Sequence, residues 1–154
     1  MIPFESFLQL PTAEVAALVR STGHKVCVFP VNGTRRWFVL EHADKIKDDF
    51  IAAYMDESIK NHVELCEMLF RHGIETILAP VFGRELMQRG DEYTKRVGMD
   101  GLVRTATDQH YRGFFQKYNV KVRFYGDYRD VLSGTEYEYT LKSIFELKIG
   151  RAHV

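Results

Sequence analysis

The chain lacks any charge imbalance, its 21 Lys and Arg being matched by 21 Asp and Glu among 154 residues. A global field that would draw it to nucleic acid or to an anionic membrane is excluded, so any electropositive site must be local. Long hydrophobic runs are missing too. No apolar stretch approaches the ~20 residues of a membrane span, and the opening "MIPFESFLQL" has neither the basic nor the apolar region of a secretory signal. The expectation is therefore a cytoplasmic chain with no integral membrane segment and no nucleic-acid partner. Cysteine is scarce: Cys27 and Cys66 show no CxxC spacing, which argues against a disulfide framework and suits buried thiols. The histidines form no HExxH or HxxxH pair and no GxxxxGK[ST] loop occurs, so neither a zinc site nor a phosphate loop of that kind is expected.

What is present reads as alternating helices and strands in one domain. "PTAEVAALVRSTG" predicts a short helix with Thr12 as N-cap, Val15, Leu18 and Val19 on one face and Gly23 as the stop. Residues 25–30, "KVCVFP", predict a buried strand closed by Pro30, and residues 74–80, "IETILAP", repeat the arrangement. Between them Ile51, Met55, Ile59, His62 or Val63, Cys66 and Phe70 recur at helical spacing from Asp44 to His72, with Gly73 as terminator. A further helix is expected from Arg84 towards Val97, broken by "GMDG" at 98–101. Asp108 then caps a helix bearing Tyr111, Phe114, Phe115 and Tyr118, and residues 120–127 predict a third strand. Strands joined by helices imply a three-layer α/β architecture with a mainly parallel sheet. Ligands of such sheets bind beyond the carboxyl ends of the strands, where residues 32–37, 81–89 and 126–129 should converge.

One stretch stands out. "VFPVNGTRRWFVLE", residues 28–41, sets Thr34, Arg35 and Arg36 just after Gly33, where a hydroxyl and two forked cations suit a phosphate or diphosphate. Taken alone, an arginine pair in a loop is more often a solvated face or a structural ion pair, and Trp37 and Phe38 are more often core than lid.

"NGTRRW" resembles the Asp-Gly-Asn-Gly-Arg-Trp loop of cis-prenyltransferases, the undecaprenyl diphosphate synthase group. It is still more similar to the Asp-Gly-Thr-Arg-Arg-Trp loop of the diterpene synthase branch of that fold, the tuberculosinol synthase or tuberculosinyl adenosine transferase family. "MLFRHGIETILAPVFGRELMQRGDEY" and "NVKVRFYGDYRDVL" extend the resemblance at like spacing to about Lys148. The resemblance implies a cis-prenyltransferase fold and a terpene synthase or prenyltransferase acting on an isoprenoid diphosphate, most plausibly diterpenyl. Its allylic diphosphate would be ionised and the carbocation captured by water or another nucleophile. By the same resemblance Asn32, Arg35 and Arg36 are the candidate catalytic residues, and Gly33, Thr34, Trp37, Phe50, Tyr54, Phe82 and Arg89 the candidate substrate-binding residues. No protein metal site is expected, with Mg²⁺ a possible companion of the diphosphate, and a homodimer is implied for the full-length family member.

Three departures from the family pattern bear on the reading. Asn32 stands where the family carries an essential aspartate, keeping shape and a carbonyl acceptor but losing the charge of a base or Mg²⁺ ligand. Phe50 stands at the family's catalytic tyrosine, with Tyr54 one helical turn on, and in "FGRELMQR" Phe82, Glu85 and Arg89 align while Leu86 and Met87 replace an Asn-Trp pair used in chain elongation. Family members also continue further. Residues 1–148 are thus expected to be the N-terminal part of one truncated cis-prenyltransferase-like domain, and 149–154, "IGRAHV", a tail foreign to it. The rival expectation is a catalytically silent relative that binds an isoprenoid diphosphate or a partner subunit.

Overall fold

The computed structural model describes residues 2–31, 33–46, 48–80, 83–127, 133–135 and 138–139. Helices α1 (Phe4–Leu8) and α2 (Thr12–Ser21) precede strand β1 (Val26–Val28). Helix α3 (Thr34–Glu41), a 3-10 turn (Ala43–Lys45) and the long α4 (Phe50–Arg71) then lead to β2 (Thr76–Leu78). Short α5 (Arg84–Met87) and α6 (Asp91–Tyr93) follow; a π-helical turn (Thr94–Met99) joins α6 to α7 (Asp100–Thr107), and α8 (Gln109–Tyr118) comes last.

The fold is organised along α4. Asp49 starts it by accepting the Ala52 N–H at 3.0 Å, and Gly73 ends it with φ +97°. Tyr54, Met55, Ile59, Val63 and Cys66 form its buried stripe, close to the periodicity in the sequence. The stripe serves two clusters. Near the amino end Tyr54 and Met55 surround Phe38, which is fully buried, with Phe50, Trp37 and Val97 packed outside them. Near the carboxyl end Val63 and Cys66 meet Phe114 of α8, with Phe70, Phe115 and Tyr118 around them. The aromatic stripe of α8 is thus mainly core, and burial pushes the Cys66 thiol up to about 11.

The two strands pair in parallel, Val26 with Thr76, Cys27 with Ile77 and Val28 with Leu78. This confirms the parallel connection through helices, but among the described residues the sheet has two strands only. Residues 120–125 alternate exposed and half-buried positions as a strand would, yet they do not join the sheet, and strand structure requires a paired neighbour. Nor is β1 a buried strand. Its period of two turns Cys27 inward and leaves Val26 and Val28 53% and 67% exposed.

Other expectations change for local reasons. Pro11, not Thr12, takes the N-cap position of α2, because proline is preset for the approach to a helix and Thr12 already lies in the first turn. Lys45 and Asp44 belong to the separate 3-10 turn, so α4 begins at Phe50 rather than near Asp44. "GMDG" does not break the chain's helical course, which passes through it by way of the π turn. Its glycines bring this helix against α4, where a Cβ on Gly101 would lie 3.2 Å from Met55 Cε. Asp108 does cap α8, accepting the His110 N–H at 2.9 Å.

Gly73 combines left-handed backbone with a close approach, since an added Cβ would lie 2.8 Å from the Ala16 carbonyl oxygen of α2. Gly73→Ala is therefore expected to lose about 3 kcal/mol in denaturant unfolding, from strain and clash together. Gly113→Ala, helical and facing open space, should gain about 0.5–1 kcal/mol. In a second prediction, Lys60 and Lys45 hold the Glu57 carboxyl at about 2, below its ordinary 4.5. Its contribution is complete above pH 4.5 and is lost as pH falls through about 2. Both lysines are partly solvated, so Glu57→Gln should remove less than about 1 kcal/mol of acid sensitivity from a pH series of unfolding curves.

Candidate functional site

A cavity of about 980 Å³ opens beyond the carboxyl ends of both strands. Pro30, Val31 and Gly33 reach it after β1, and Ala79, Pro80 and Gly83 after β2, as expected of a parallel sheet. The volume lies in the range that holds a small-molecule ligand.

Its mouth is cationic. Gly33 caps α3 with φ +75° and its carbonyl accepts the Trp37 N–H at 3.1 Å, so Arg35 and Arg36 stand in the first helical turn rather than in a loop. That turn carries no acidic residue, and the positive end of a helix is an unfavourable place for two more cations unless an anion joins them. Arg36 folds back over Gly33, its Nη2 3.9 Å from where a Cβ would stand. Arg35 lies over the Tyr93 ring with Cζ 5.1 Å from the centroid, and Arg89 approaches the same ring at 5.6 Å. One aromatic ring thereby gathers two guanidiniums. Among the described residues the arginines engaged in ion pairs with carboxylates are Arg96, with Asp49 and Glu92, and Arg104, with Asp56 and Asp108.

Behind the mouth one face of α4 presents Tyr54, Ser58 and His62 at successive turns, all lining the cavity. The Tyr54 hydroxyl and Thr34 Oγ1 lie 2.7 Å apart and share a hydrogen bond that ties α4 to the start of α3. Burial raises the Tyr54 pKa, with the Thr34 contact opposing it, so the phenol stays protonated near neutrality. His62 Nδ1 shares a hydrogen bond of 2.8 Å with the Tyr111 hydroxyl of α8. Burial lowers the His62 pKa and raises that of Tyr111, favouring the neutral form of each. Among the described residues Ser58 Oγ and His62 Nε2 are buried without a hydrogen-bond partner, a state that costs roughly 1–3 kcal/mol per group. Met55, Ile59, Leu86, Val97 and Leu102 make the remaining wall largely apolar.

The structure thus brings Gly33, Thr34, Arg35, Arg36, Tyr54 and Arg89 to one cavity. Trp37 and Phe50 lie instead in the core cluster beside it, because the helical turn of α3 carries Trp37 onto His42 and Phe50 stacks on Tyr54. Asn32 and Phe82 lie outside the described residues, as do Arg129 and the 149–154 tail; Gly126 and Asp127 are described but do not line the cavity. Of the expected aromatic wall, Tyr111 faces the cavity while Phe114 and Phe115 do not. Tyr93, Ser58 and His62 carry no catalytic expectation in the sequence. The period-four polar run Tyr54, Ser58, His62 on an otherwise apolar helix face is the signal that could have marked two of them.

Among the described residues no group of three or more His, Cys, Asp or Glu could hold a metal, and the described mouth offers guanidiniums and a hydroxyl, donors unsuited to resident Mg²⁺. No described helix is long and apolar enough to cross a membrane.

No protein-family profile matches the chain. Over 135 residues, 88% of its length, it is 38% identical to tuberculosinyl adenosine transferase of Mycobacterium tuberculosis (strain CDC 1551 / Oshkosh). The match covers 44% of that relative, so the chain spans less than half the length of the curated protein it resembles. Across those 135 residues, which take in the arginine-bearing helix start and both strands, the chain is tuberculosinyl adenosine transferase-like.

Proposed function

We propose that the cavity receives an allylic polyprenyl diphosphate, of diterpenyl size, and promotes its ionisation, water or another nucleophile then capturing the cation within a cis-prenyltransferase-like fold. The observation that carries the reading is the meeting of Arg35 and Arg89 over Tyr93 at the amino end of α3. Three guanidiniums and a helix end supply preorganised positive charge where the leaving diphosphate develops its negative charge. The C–O bond breaks with its electron pair going to the diphosphate. Met55, Ile59 and Leu102 then offer the cation a largely apolar wall. Tyr54 acts through Thr34, which it holds at the start of α3. Mg²⁺ would enter, if at all, with the substrate, and no step is assigned to it.

Asn32 supports a second reading, in which the protein binds the diphosphate without turning it over, because an amide cannot take a proton as the family's aspartate would. Incubation with geranylgeranyl diphosphate, with and without Mg²⁺, separates the two by release of inorganic diphosphate and formation of a prenyl product. Binding without release selects the silent protein, and Asn32→Asp should then introduce turnover.

For the enzyme, Arg36→Ala is expected to lower turnover at least about 100-fold, and a variant with full rate contradicts the diphosphate grip. Tyr93 gives a subtler check. Tyr93→Phe keeps the π face and should leave KM nearly unchanged, whereas Tyr93→Leu should raise it roughly tenfold as Arg35 and Arg89 lose their common surface.

A further inference from the structure

We propose that Ser58 Oγ and His62 Nε2 form a hydroxyl subsite in the cavity wall, where the acceptor of the carbocation, water or a small alcohol, is held and surrenders its proton to His62. The inference rests on the diphosphate reading and names the half of the reaction that the cationic mouth leaves open. Among the described residues both atoms are buried without a hydrogen-bond partner of good geometry, Ser58 standing near the Tyr54 hydroxyl that Thr34 already engages, and both residues line the cavity. Orphaned buried groups are rare enough in native proteins to call for a ligand or an ordered water. Two of them one helical turn apart on the same face form a donor and acceptor pair, and a hydroxyl is the simplest group that satisfies both.

The position suits the role. Tyr54, joined to Thr34, marks the anion end, and Ser58 and His62 follow about 6 and 12 Å further along α4. An acceptor held there stands in the apolar part of the cavity, away from the arginines and so from the leaving group. The His62 ring is fixed by Tyr111 at 2.8 Å and lies beside Phe29, with ring centroids 6.2 Å apart. With Nδ1–H donating to the Tyr111 oxygen, Nε2 carries the free lone pair of the ring. The Ser58 hydroxyl donates to the acceptor oxygen, whose own O–H donates to His62 Nε2. On capture the acceptor oxygen forms the new C–O bond, its O–H bond breaks and the proton passes to Nε2, while the diphosphate has already left with its electron pair. Burial favours the neutral imidazole this step requires.

The test follows products rather than rate. With geranylgeranyl diphosphate, the products of His62→Ala and Ser58→Ala are compared with those of the unsubstituted protein at equal diphosphate released, whatever the rate. The ratio of oxygenated to hydrocarbon product should fall about tenfold or more, because a cation without its acceptor loses a proton instead. Adding methanol distinguishes the acceptor's source, a methyl ether marking an alcohol and a prenyl alcohol marking water. An unchanged product ratio overturns the subsite and leaves the diphosphate reading intact. A second measurement needs no turnover and no variant. In protein labelled with ¹⁵N-histidine, a prenyl alcohol should move the His62 Nε2 resonance while the hydrocarbon of the same chain does not. Equal responses, or none, overturn the subsite, and this arm decides it even if the unsubstituted protein releases no diphosphate.

Discussion

Positive charge gathered with no carboxylate ion-paired to it among the described residues governs the proposed site. Arg35 and Arg36 occupy the first turn of α3, where the helix already presents its positive end, and Arg89 is drawn to the same place by the Tyr93 ring. Mutual repulsion between guanidiniums opposes this arrangement, and cation–π contacts of about 0.5–1 kcal/mol each at exposed sites offset only part of it. A multiply charged anion resolves the conflict. Among the described residues the carboxylates that pair with arginine do so away from this place: Asp49 and Glu92 pair with Arg96, and Asp56 and Asp108 with Arg104.

The scaffold that permits this is α4. Its two aromatic clusters anchor opposite ends of the helix, one through Phe38 and Tyr54 and the other through Cys66 and Phe114. The middle turns face the cavity instead of a packed neighbour. On the proposed reading Ser58 and His62 remain there because that face binds a ligand, since in a close-packed core a better-paired or apolar side chain would be favoured. Glycine in the opposite helix sets the width, Gly101 keeping the wall within reach of Met55. One helix therefore carries a polarity gradient, from the hydroxyl that braces the cationic mouth to the imidazole at its far side.

Much of this was legible in the sequence where local chemistry acts alone. The period of α4, the Gly73 stop and the Asp108 cap follow from side-chain spacing and capping, which need no distant partner. What depends on partners was not. Residues 120–127 have strand composition but are not part of the described two-stranded sheet, and Val26 and Val28 look like core residues until the exposed face of β1 is seen. "GMDG" carries the composition of a helix break, yet close packing against α4 keeps the chain helical through it. At the site, Arg35 and Arg36 could be singled out as candidates because their motif is compact, and both line the cavity. Tyr93 could not, because its role exists only when segments 58 positions apart in sequence meet on its ring.

The account turns on where a free anion settles, and a structure determined with inorganic diphosphate bound would test it most directly. The anion should lie at the amino end of α3, within hydrogen-bond distance of Arg35 and Arg36, with Arg89 completing the clasp from over Tyr93. Diphosphate bound away from α3, or a mouth whose guanidiniums turn to solvent in its presence, would contradict the account.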